Sequence, residues 1–276
     1  MSAVPNTLNE PAEIFASLHR PGDPVLLPNA WDVASAVVIA AAGAKAIGTT
    51  SAGVAWSLGV PDGAELGAER LAAAVARIVA AVDVPVSADI EAGYGNVAAT
   101  VEAAVRAGAV GVNIEDSSAG VLLGPPEQAI RLAAARAAAT DAADGARIWI
   151  NARTDVFLAG SGNLDEALER SAAYAAAGAD SLFAPGLTDP AGIAELAAGP
   201  LPIAVMAGPG APSVADLSAA GVVRISLGSA IAQAAYGLAA RIATELLTTG
   251  TYESAASGVD YVTMNRAFTW TAGVRR

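Results

Sequence analysis

The chain has 276 residues, of which 54% are hydrophobic and 15% are charged, and its formal net charge is −12. This composition predicts a folded chain with a sizeable core and excludes extensive disorder. The 15 lysine and arginine residues form no basic cluster, which argues against a nucleic-acid partner and against an anionic membrane surface. The polar segment Met1–Pro11 lacks the apolar core of a signal peptide, and no apolar run suits a membrane span. We therefore expect a cytoplasmic protein.

Strands and helices alternate along most of the chain. A short helix is predicted over 8–19, ahead of strands at 25–27, 46–49, 86–91, 110–115, 148–153, 181–184, 203–206 and 223–227. Helices are predicted at 33–42, 68–81, 97–107, 126–143, 164–177, 190–198, 214–220 and 230–247, and a long loop at 50–67. Eight strand–helix units predict a (β/α)8 TIM barrel. An open doubly wound sheet is the alternative, although no Gly-x-Gly-x-x-Gly follows the first strand.

The expected domain organisation is simple. One domain covers residues 1–276, with the barrel over about 24–248 and a C-terminal extension over 249–276. The extension carries Tyr252, Tyr261, Phe268 and Trp270, which either pack on their own surface or form a subunit contact. We expect a homo-oligomer, a dimer or a tetramer.

Some kinds of catalysis are excluded by what the chain lacks. It has no cysteine, so thiol nucleophiles, disulfides and thiolate metal sites are absent. Its single lysine, Lys45, precedes the second strand at the amino end of the barrel, where catalytic groups are not found. A Schiff-base aldolase is therefore disfavoured. The single histidine, His19, lies before the barrel and is predicted to be on the surface.

The third strand carries the most informative residues. Ser87, Asp89 and Glu91 alternate onto one face of the predicted strand, close to its carboxyl end. Two carboxylates at such a position are costly to bury without a partner, and the usual partner is a hard cation. The alternative is a pair of solvated acids at the edge of a loop.

The same alternation on the next two strands adds polar groups from adjacent parts of the barrel. Strand four offers Asn113 and Glu115 to the interior, and strand five offers Asn151 and Arg153. An acid-rich site without histidine suits Mg²⁺ or Mn²⁺ better than zinc. Arg153 supplies a fork for a carboxylate or phosphonate. An inward salt-bridge network that only holds the barrel together is the alternative.

The loop after strand two could hold an oxyanion. Ser51 offers a hydroxyl, and Ala52 and Gly53 offer backbone N–H groups. By itself a Ser-Ala-Gly turn is weak evidence, and a plain connecting loop is the alternative.

Five segments, taken together and in this order, resemble the isocitrate lyase/phosphoenolpyruvate mutase superfamily over nearly the whole barrel. They are Pro-Asn-Ala-Trp-Asp at 28–32, the stretch 50–62, Ala-Asp-Ile-Glu-Ala-Gly-Tyr-Gly-Asn at 88–96, Asn-Ile-Glu-Asp at 113–116 and Ala-Arg-Thr-Asp at 152–155. The resemblance implies a Mg²⁺-dependent barrel, often tetrameric, whose last helix is exchanged between neighbours. It also implies α-keto acid or phosphonate substrates that react through an enolate, with a C–C or P–C bond formed or cleaved.

The resemblance also implies roles for individual residues. Asp89 matches the direct metal ligand, whereas Asp62, Glu91 and Glu115 match acids that reach the metal mainly through water. Trp31 matches an aromatic wall of the pocket. The residues assigned to catalysis are Ser51, Asp62 and Arg153. Those assigned to substrate binding are Trp31, Ser51, Ala52, Gly53, Asn113, Asn151 and Arg153, and those assigned to the metal are Asp89, Glu91 and Glu115.

The substrate-specific parts of the superfamily are not kept. Lyase members carry a gate loop with a catalytic cysteine after strand four, whereas this chain has Ser-Ser-Ala-Gly-Val-Leu-Leu-Gly-Pro-Pro at 117–126. The chain therefore looks most like the phosphonomutase-like branch, and not like a cysteine-dependent isocitrate or methylisocitrate lyase. Oxaloacetate-type decarboxylation or P–C chemistry is expected. A non-catalytic barrel that binds α-keto acids is the alternative.

Overall fold

The computed structural model describes residues 8–64, 66–118, 120–158 and 162–273, with the side chains of 269–273 excepted. The α-helices in this part of the chain are α1 (Asn9–Ser17), α2 (Val33–Ala41), α3 (Ser51–Ser57), α4 (Ala68–Ala81), α5 (Val97–Arg106), α6 (Pro125–Ala142), α7 (Leu164–Ala176), α8 (Pro190–Ala197), α9 (Val214–Ala219), α10 (Ala230–Thr249) and α11 (Tyr261–Gly273). The strands are β1 (Val25–Leu27), β2 (Asn29–Ala30), β3 (Ile47–Thr49), β4 (Val86–Asp89), β5 (Gly111–Glu115), β6 (Ser117–Ser118), β7 (Val121–Leu122), β8 (Trp149–Arg153), β9 (Ser181–Phe183), β10 (Ile203–Met206) and β11 (Arg224–Ser226). Most of the polar N-terminal segment and the side chain of Trp270 lie outside the described residues.

The main sheet is parallel and returns on itself. Its strands follow the order β1-β11-β10-β9-β8-β5-β4-β3-β2. The two ends of this order, β1 and β2, are halves of one extended segment separated by Pro28, whose missing N–H interrupts the pairing. One half pairs with β11 and the other with β3. This arrangement confirms the predicted (β/α)8 barrel, in which β1 and β2 together are the first strand.

Two predicted elements differ in detail from the structure. The loop predicted over 50–67 contains α3, whose Ala52, Val54 and Ala55 are buried, so packing against the barrel favours a helix there. The third predicted strand ends at Asp89 and does not reach Glu91. Glu91 instead has a positive φ of 50°, and its carboxylate accepts a hydrogen bond from Tyr94, which has a φ of 47°. Such a backbone is costly for non-glycine residues and is typical of functional sites.

The segment that replaces the lyase gate loop forms a small hairpin. Ser117 and Ser118 of β6 pair in an antiparallel manner with Leu122 and Val121 of β7, and α6 begins at Pro125. Arg170 of α7 donates a hydrogen bond of 2.8 Å to the carbonyl of Leu123, and the Leu123 N–H donates to the Asp116 carbonyl. The end of the hairpin is therefore tied to the barrel.

The prediction that His19 is a surface residue is wrong. Helix α1 closes the amino end of the barrel. Its buried Phe15 packs against Gly111, where an added Cβ would stand 2.7 Å from the phenyl ring. His19 follows this helix, is 8% exposed and stacks on Trp149 with ring centroids 4.1 Å apart. Its Nδ1 lies 2.8 Å from the Phe15 carbonyl. The plug formed by α1 could not be read from local periodicity.

Burial of His19 has a consequence for stability. Desolvation, assisted by the charge of Arg224, lowers the pKa of His19 to about 3. The unfolded chain takes up this proton near pH 6.5 and the folded chain does not, so His19 contributes stability above pH 6.5 that is lost as the pH falls towards 3. The expected loss is about 1.4 kcal/mol per pH unit in that window. Urea unfolding of the wild type and of His19→Gln at pH 7.5, 6.5, 5.5 and 4.5 measures it.

The comparison with His19→Gln removes the contribution of the carboxylates, which titrate in both proteins. The unfolding free energy of the wild type relative to the variant should fall steadily below pH 6.5. A difference that stays constant from pH 7.5 to 4.5 would show that His19 is protonated freely in the folded state.

Among the described residues, none of the helices combines the length and the hydropathy that a membrane span requires. The boundary of the C-terminal extension at residue 249 stays a prediction.

Candidate active site

The carboxyl ends of three neighbouring strands bring the predicted acids and the arginine together. Asp89 ends β4, Glu115 ends β5 and Arg153 ends β8. The register aligns Asp89 with Asn113 and Glu115 with Arg153 across adjacent strands. In a parallel barrel this end carries the active site.

Asp89 lies at the centre of the group. Its backbone N–H donates to Thr49 Oγ1 at 2.8 Å, and its Oδ1 accepts from the Glu91 N–H at 3.2 Å. The Ser51 N–H also faces this carboxylate. Burial raises the pKa of Asp89, although the charge of Arg153 opposes the rise.

Glu91 and Asp62 add negative charge to the same place. Burial raises the pKa of Glu91, and the hydrogen bond of 2.7 Å from the Tyr94 hydroxyl opposes this. Asp62 lies on an exposed turn, but it is close enough for its charge to raise the pKa of both Asp89 and Glu91. The predicted metal-site acids therefore repel one another, which makes the group costly without a cation.

Arg153 is held between two carboxylates. Its Nη1 lies 2.9 Å from Glu115 Oε2, and its Nε and Nη2 lie 2.6 and 3.2 Å from the oxygens of Asp155. Ser117 of the hairpin donates a hydrogen bond of 2.5 Å to the same Asp155. Burial raises the pKa of Glu115 to about 8, with the charge of Arg153 in opposition. The sequence reasoning missed the role of Asp155, although it stands two residues after the arginine in Arg-Thr-Asp.

The residues predicted to hold an oxyanion form the first turn of α3. In that turn the backbone N–H groups have no partner within the helix. Gly53 packs so closely on Trp31 that an added Cβ would stand 2.7 Å from the Trp31 Cβ, which explains why glycine is required. The Trp31 ring also lies 6.0 Å from that of Tyr236 on α10, a neighbour that the sequence did not reveal.

Two predicted substrate contacts lie deeper than expected. Asn151 is completely buried, donates to Asn113 Oδ1 at 2.7 Å and accepts from Ser181 at 2.5 Å. These two bonds hold the amide inside the barrel, and the contact of Asn151 with substrate stays a prediction. Asn113 is 6% exposed and also accepts from Arg224, which the sequence reasoning did not identify. Its contact with substrate stays a prediction.

The donor set fits a hard divalent cation with few protein ligands. Among the described residues no group of three or more acidic, histidine or cysteine side chains is arranged to enclose a metal ion. The fit rests instead on Asp89 and Glu91: burial raises the pKa of both carboxyl groups, and the nearby charge of Asp62 adds to the rise. Mg²⁺ commonly takes one or two carboxylates and keeps several waters, which matches this arrangement.

Comparison with known proteins agrees with this geometry. The family model described as phosphoenolpyruvate phosphomutase matches residues 15–247. The chain belongs to this family. Among curated relatives of this phosphomutase-family chain, an uncharacterised protein of Mycobacterium tuberculosis is 40% identical over 78% of the chain and 81% of its own length. A 2-methylisocitrate lyase of Escherichia coli is 33% identical over 66% of the chain and 64% of its own length. An oxaloacetate decarboxylase of Rhodopseudomonas palustris is 41% identical over 55% of the chain and 54% of its own length.

Solved structures show the same likeness. A Burkholderia cenocepacia protein, provisionally described as a phosphonomutase, has 45% identity and a TM-score of 0.80 over 88% of this chain and 99% of its own. A second protein of that organism, provisionally described as a lyase/mutase, has 38% identity and a TM-score of 0.85 over 95% and 96%. The predicted membership of the isocitrate lyase/phosphoenolpyruvate mutase superfamily is therefore confirmed.

Proposed function

We propose that this family member is a Mg²⁺-dependent lyase or mutase, with Mn²⁺ as a possible substitute, that acts on a small α-keto acid or phosphonate through an enolate. The proposal rests on one observation: the acids around Asp89 lie next to Arg153, whose guanidinium presents a pair of N–H donors. The acids suit a hard cation, and the fork suits an anionic substrate. The cation, when bound, would stabilise negative charge that develops on the substrate oxygen.

The chain's own residues would divide the remaining work. Asp89 would hold the cation directly, while Asp62, Glu91 and Glu115 would orient its waters. Arg153 has five N–H groups, of which at least two are free of the contacts to Glu115 and Asp155, so it can still bind a carboxylate. The N–H groups of Ala52 and Gly53 in the first turn of α3 would face the keto or enolate oxygen, since that of Ser51 faces Asp89.

The chemistry of the gate segment favours small substrates. Cleavage of a tricarboxylate needs an acid to protonate the departing carbanion, and the chain contains no cysteine for this step. Decarboxylation of oxaloacetate only requires that the enolate form and later take a proton from water. We therefore place keto-acid decarboxylation or P–C cleavage above cleavage of 2-methylisocitrate, although a 2-methylisocitrate lyase is among the relatives.

A substrate panel tests the proposed function. Oxaloacetate, phosphonopyruvate and 2-methylisocitrate are each incubated with the purified protein and Mg²⁺, and the products are followed by NMR. Turnover of one of the first two is the expected result. Rapid cleavage of 2-methylisocitrate by the pure protein would contradict the order given above.

A non-catalytic α-keto-acid-binding barrel is the second candidate. It is favoured by the segment 117–126, which lacks the catalytic cysteine of the lyase gate loop. Binding of oxalate or pyruvate in the presence of Mg²⁺, without turnover of any member of the panel, would support it over the enzyme.

Arg153→Lys tests the substrate fork. A lysine keeps the charge but loses the planar pair of donors, so the variant should raise KM at least as much as it lowers kcat. The expected loss in kcat/KM is about 10- to 100-fold, as for a hydrogen bond to a charged group. Steady-state kinetics measures it, with the exposed Arg70→Lys as the matched control. A variant with wild-type KM would show that Arg153 does not bind substrate.

We also propose that the protein is a homo-oligomer in the cytoplasm in which α10 of a second copy covers a bare part of the barrel. In a closed barrel the outward face of every strand is covered by a helix, yet Leu26 of β1 is 50% exposed. Around it lies an open groove of about 910 Å³, lined by Leu18, Leu26, Ile39, Val214, Ala215 and Ile231 among others. Helix α10, which would complete the ring, fully buries only Ala232.

Light scattering should therefore return a species larger than the 27.1 kDa monomer at micromolar concentration. Leu26→Arg, which places a charge in the groove, should shift the protein towards the monomer, while Ile130→Arg on the exposed face of α6 should not. A wild type that is monomeric throughout would refute the proposal.

A further inference from the structure

Arg224 is a buried charge in the interior of the barrel that the proposed function has not used. It lies on β11 and is 2% exposed. Its Nη2 donates to Asn113 Oδ1 on β5 at 3.1 Å. In the sheet order three strand positions separate β11 from β5 in either direction, so the side chain crosses the barrel from one wall to the other.

The guanidinium has little compensation for its burial. Nη1 is buried and has no hydrogen-bond partner, and no ion pair within the described ranges includes Arg224. Burial lowers its pKa to about 10, and the charge that favours its cationic form is that of Asp89. An unpaired buried cation costs stability, and an apolar side chain at this position would not. Packing therefore gives no reason for an arginine here.

The position of Arg224 relative to the acids suggests a reason. Its partner Asn113 lies next to Asp89 in the register of β5 and β4. Asn113 is held in turn by Asn151, which accepts from Ser181. The guanidinium is thus fixed inside the barrel, within electrostatic reach of Asp89 at the mouth and of His19 at the amino end. It is separated from solvent, so its field is weakly screened.

The positive charge of Arg224 matters because of the other charged groups at the mouth, the carboxyl end of the barrel. Carboxylates of Asp62, Asp89, Glu91, Glu115 and Asp155 gather at this end of the barrel, where Arg153 lies among them and Arg131 is a further cation close to Glu115. A dianionic keto acid, or an enolate with its carboxylate, would bring its negative charge next to Asp89 and Glu91, and a further positive charge nearby would ease that approach.

We propose that Arg224 is a positioning residue whose charge, held inside the barrel, lowers the repulsion that an anionic substrate or its enolate meets at the mouth of the barrel. The inference rests on the proposed function. It assigns to Arg224 no contact with substrate. Its effect should fall on binding of the anion and not on binding of the metal ion, because a positive charge repels a cation.

Three variants and one probe test the assignment. Oxalate, a small dianion with the shape of a pyruvate enolate, is titrated by calorimetry into wild type, Arg224→Met, Arg224→Gln and Arg224→Lys with Mg²⁺ in excess at pH 7. Mg²⁺ affinity and melting temperature are measured on the same proteins without oxalate. Met and Gln remove the charge, Gln keeps a donor for Asn113, and Lys keeps the charge.

The expected pattern separates charge from structure. Met and Gln should weaken oxalate binding about tenfold or more, and Lys should stay within about threefold of the wild type. Mg²⁺ affinity of the Met variant should be unchanged or higher, and its melting temperature should be unchanged or higher because a buried charge has been removed.

Other results would overturn the inference. Wild-type oxalate affinity in the Met variant would show that the charge does nothing at the site. If Arg224→Gln binds oxalate as tightly as the wild type, only the hydrogen bond to Asn113 matters. If Arg224→Lys binds oxalate as weakly as Arg224→Met, only the packing of the arginine matters. If the wild type itself fails to bind oxalate with Mg²⁺, the proposed function fails and the inference falls with it. If the wild type binds and the variants match it, only the role of Arg224 fails.

Discussion

Replacing Asp89 by alanine should abolish Mg²⁺ binding and turnover together. Asp89 is the one acid at the centre of the group that the superfamily resemblance matches to a direct ligand. Loss of an outer partner typically costs 10- to 100-fold in metal affinity, so loss of the ligand itself should cost at least about 100-fold. Calorimetry on chelator-treated protein measures the affinity, and the substrate panel measures the rate.

Asp83→Ala is the matched control for this experiment. Asp83 is an exposed acid three residues before the same strand, at the opposite end of the barrel, and its loss should change neither quantity. The metal-free Asp89→Ala protein should melt no lower than the wild type, because burial raises the pKa of Asp89 and the carboxylate is held at a cost. Equal Mg²⁺ binding by Asp89→Ala and the wild type would remove the assignment of Asp89 as ligand.

Replacing Arg170 by methionine should cause the largest loss of stability. Arg170 is 3% exposed, and its Nη1 lies 2.9 Å from a carboxylate oxygen of Asp116, which is completely buried. The same oxygen accepts from the Tyr174 hydroxyl at 2.7 Å. Removing the arginine leaves the Asp116 charge uncompensated, a change that typically costs about 3–5 kcal/mol. Chemical unfolding of the metal-free protein measures the loss.

An exposed ion pair provides the comparison. Arg106 and Glu102 are one helical turn apart on α5, with 2.8 Å between their charged groups, and both are exposed to solvent. Arg106→Met should therefore cost no more than about 0.5 kcal/mol. If Arg170→Met costs no more than this control, Asp116 is compensated by other groups and the network around it is not essential to the fold.

The Arg170 network also links stability to the site. The other oxygen of Asp116 accepts from the Asp155 N–H at 2.9 Å, and Asp155 holds Arg153. Arg170 binds the Leu123 carbonyl as well, so the same side chain fixes the end of the gate hairpin. Arg170→Met should consequently weaken substrate binding by more than the loss of folded protein accounts for.

The sequence by itself determined the barrel and the place of the acids. Gly43, Gly108, Gly178 and Gly221, each preceded by alanine, follow α2, α5, α7 and α9 and all have positive φ, as expected for glycine at the end of a helix. The alternation of side chains on a strand is strict, so Asp89, Glu115 and Arg153 had to point the same way once their strands were parallel neighbours. These are local rules, and they hold whatever the rest of the chain does.

Only the tertiary structure decided which distant segments meet inside the barrel. His19 precedes the first strand by a few residues, and nothing local reveals that α1 folds under the barrel and stacks it on Trp149. Asn151 obeys the predicted alternation, but its depth depends on Ser181 and Asn113 from other strands. In the sequence, Arg224 is a single charge in a short apolar strand. Only closure of the barrel brings it opposite β5, where it contacts Asn113. Burial and charge compensation depend on contacts between residues far apart in the chain, and periodicity along a strand carries no information about those contacts.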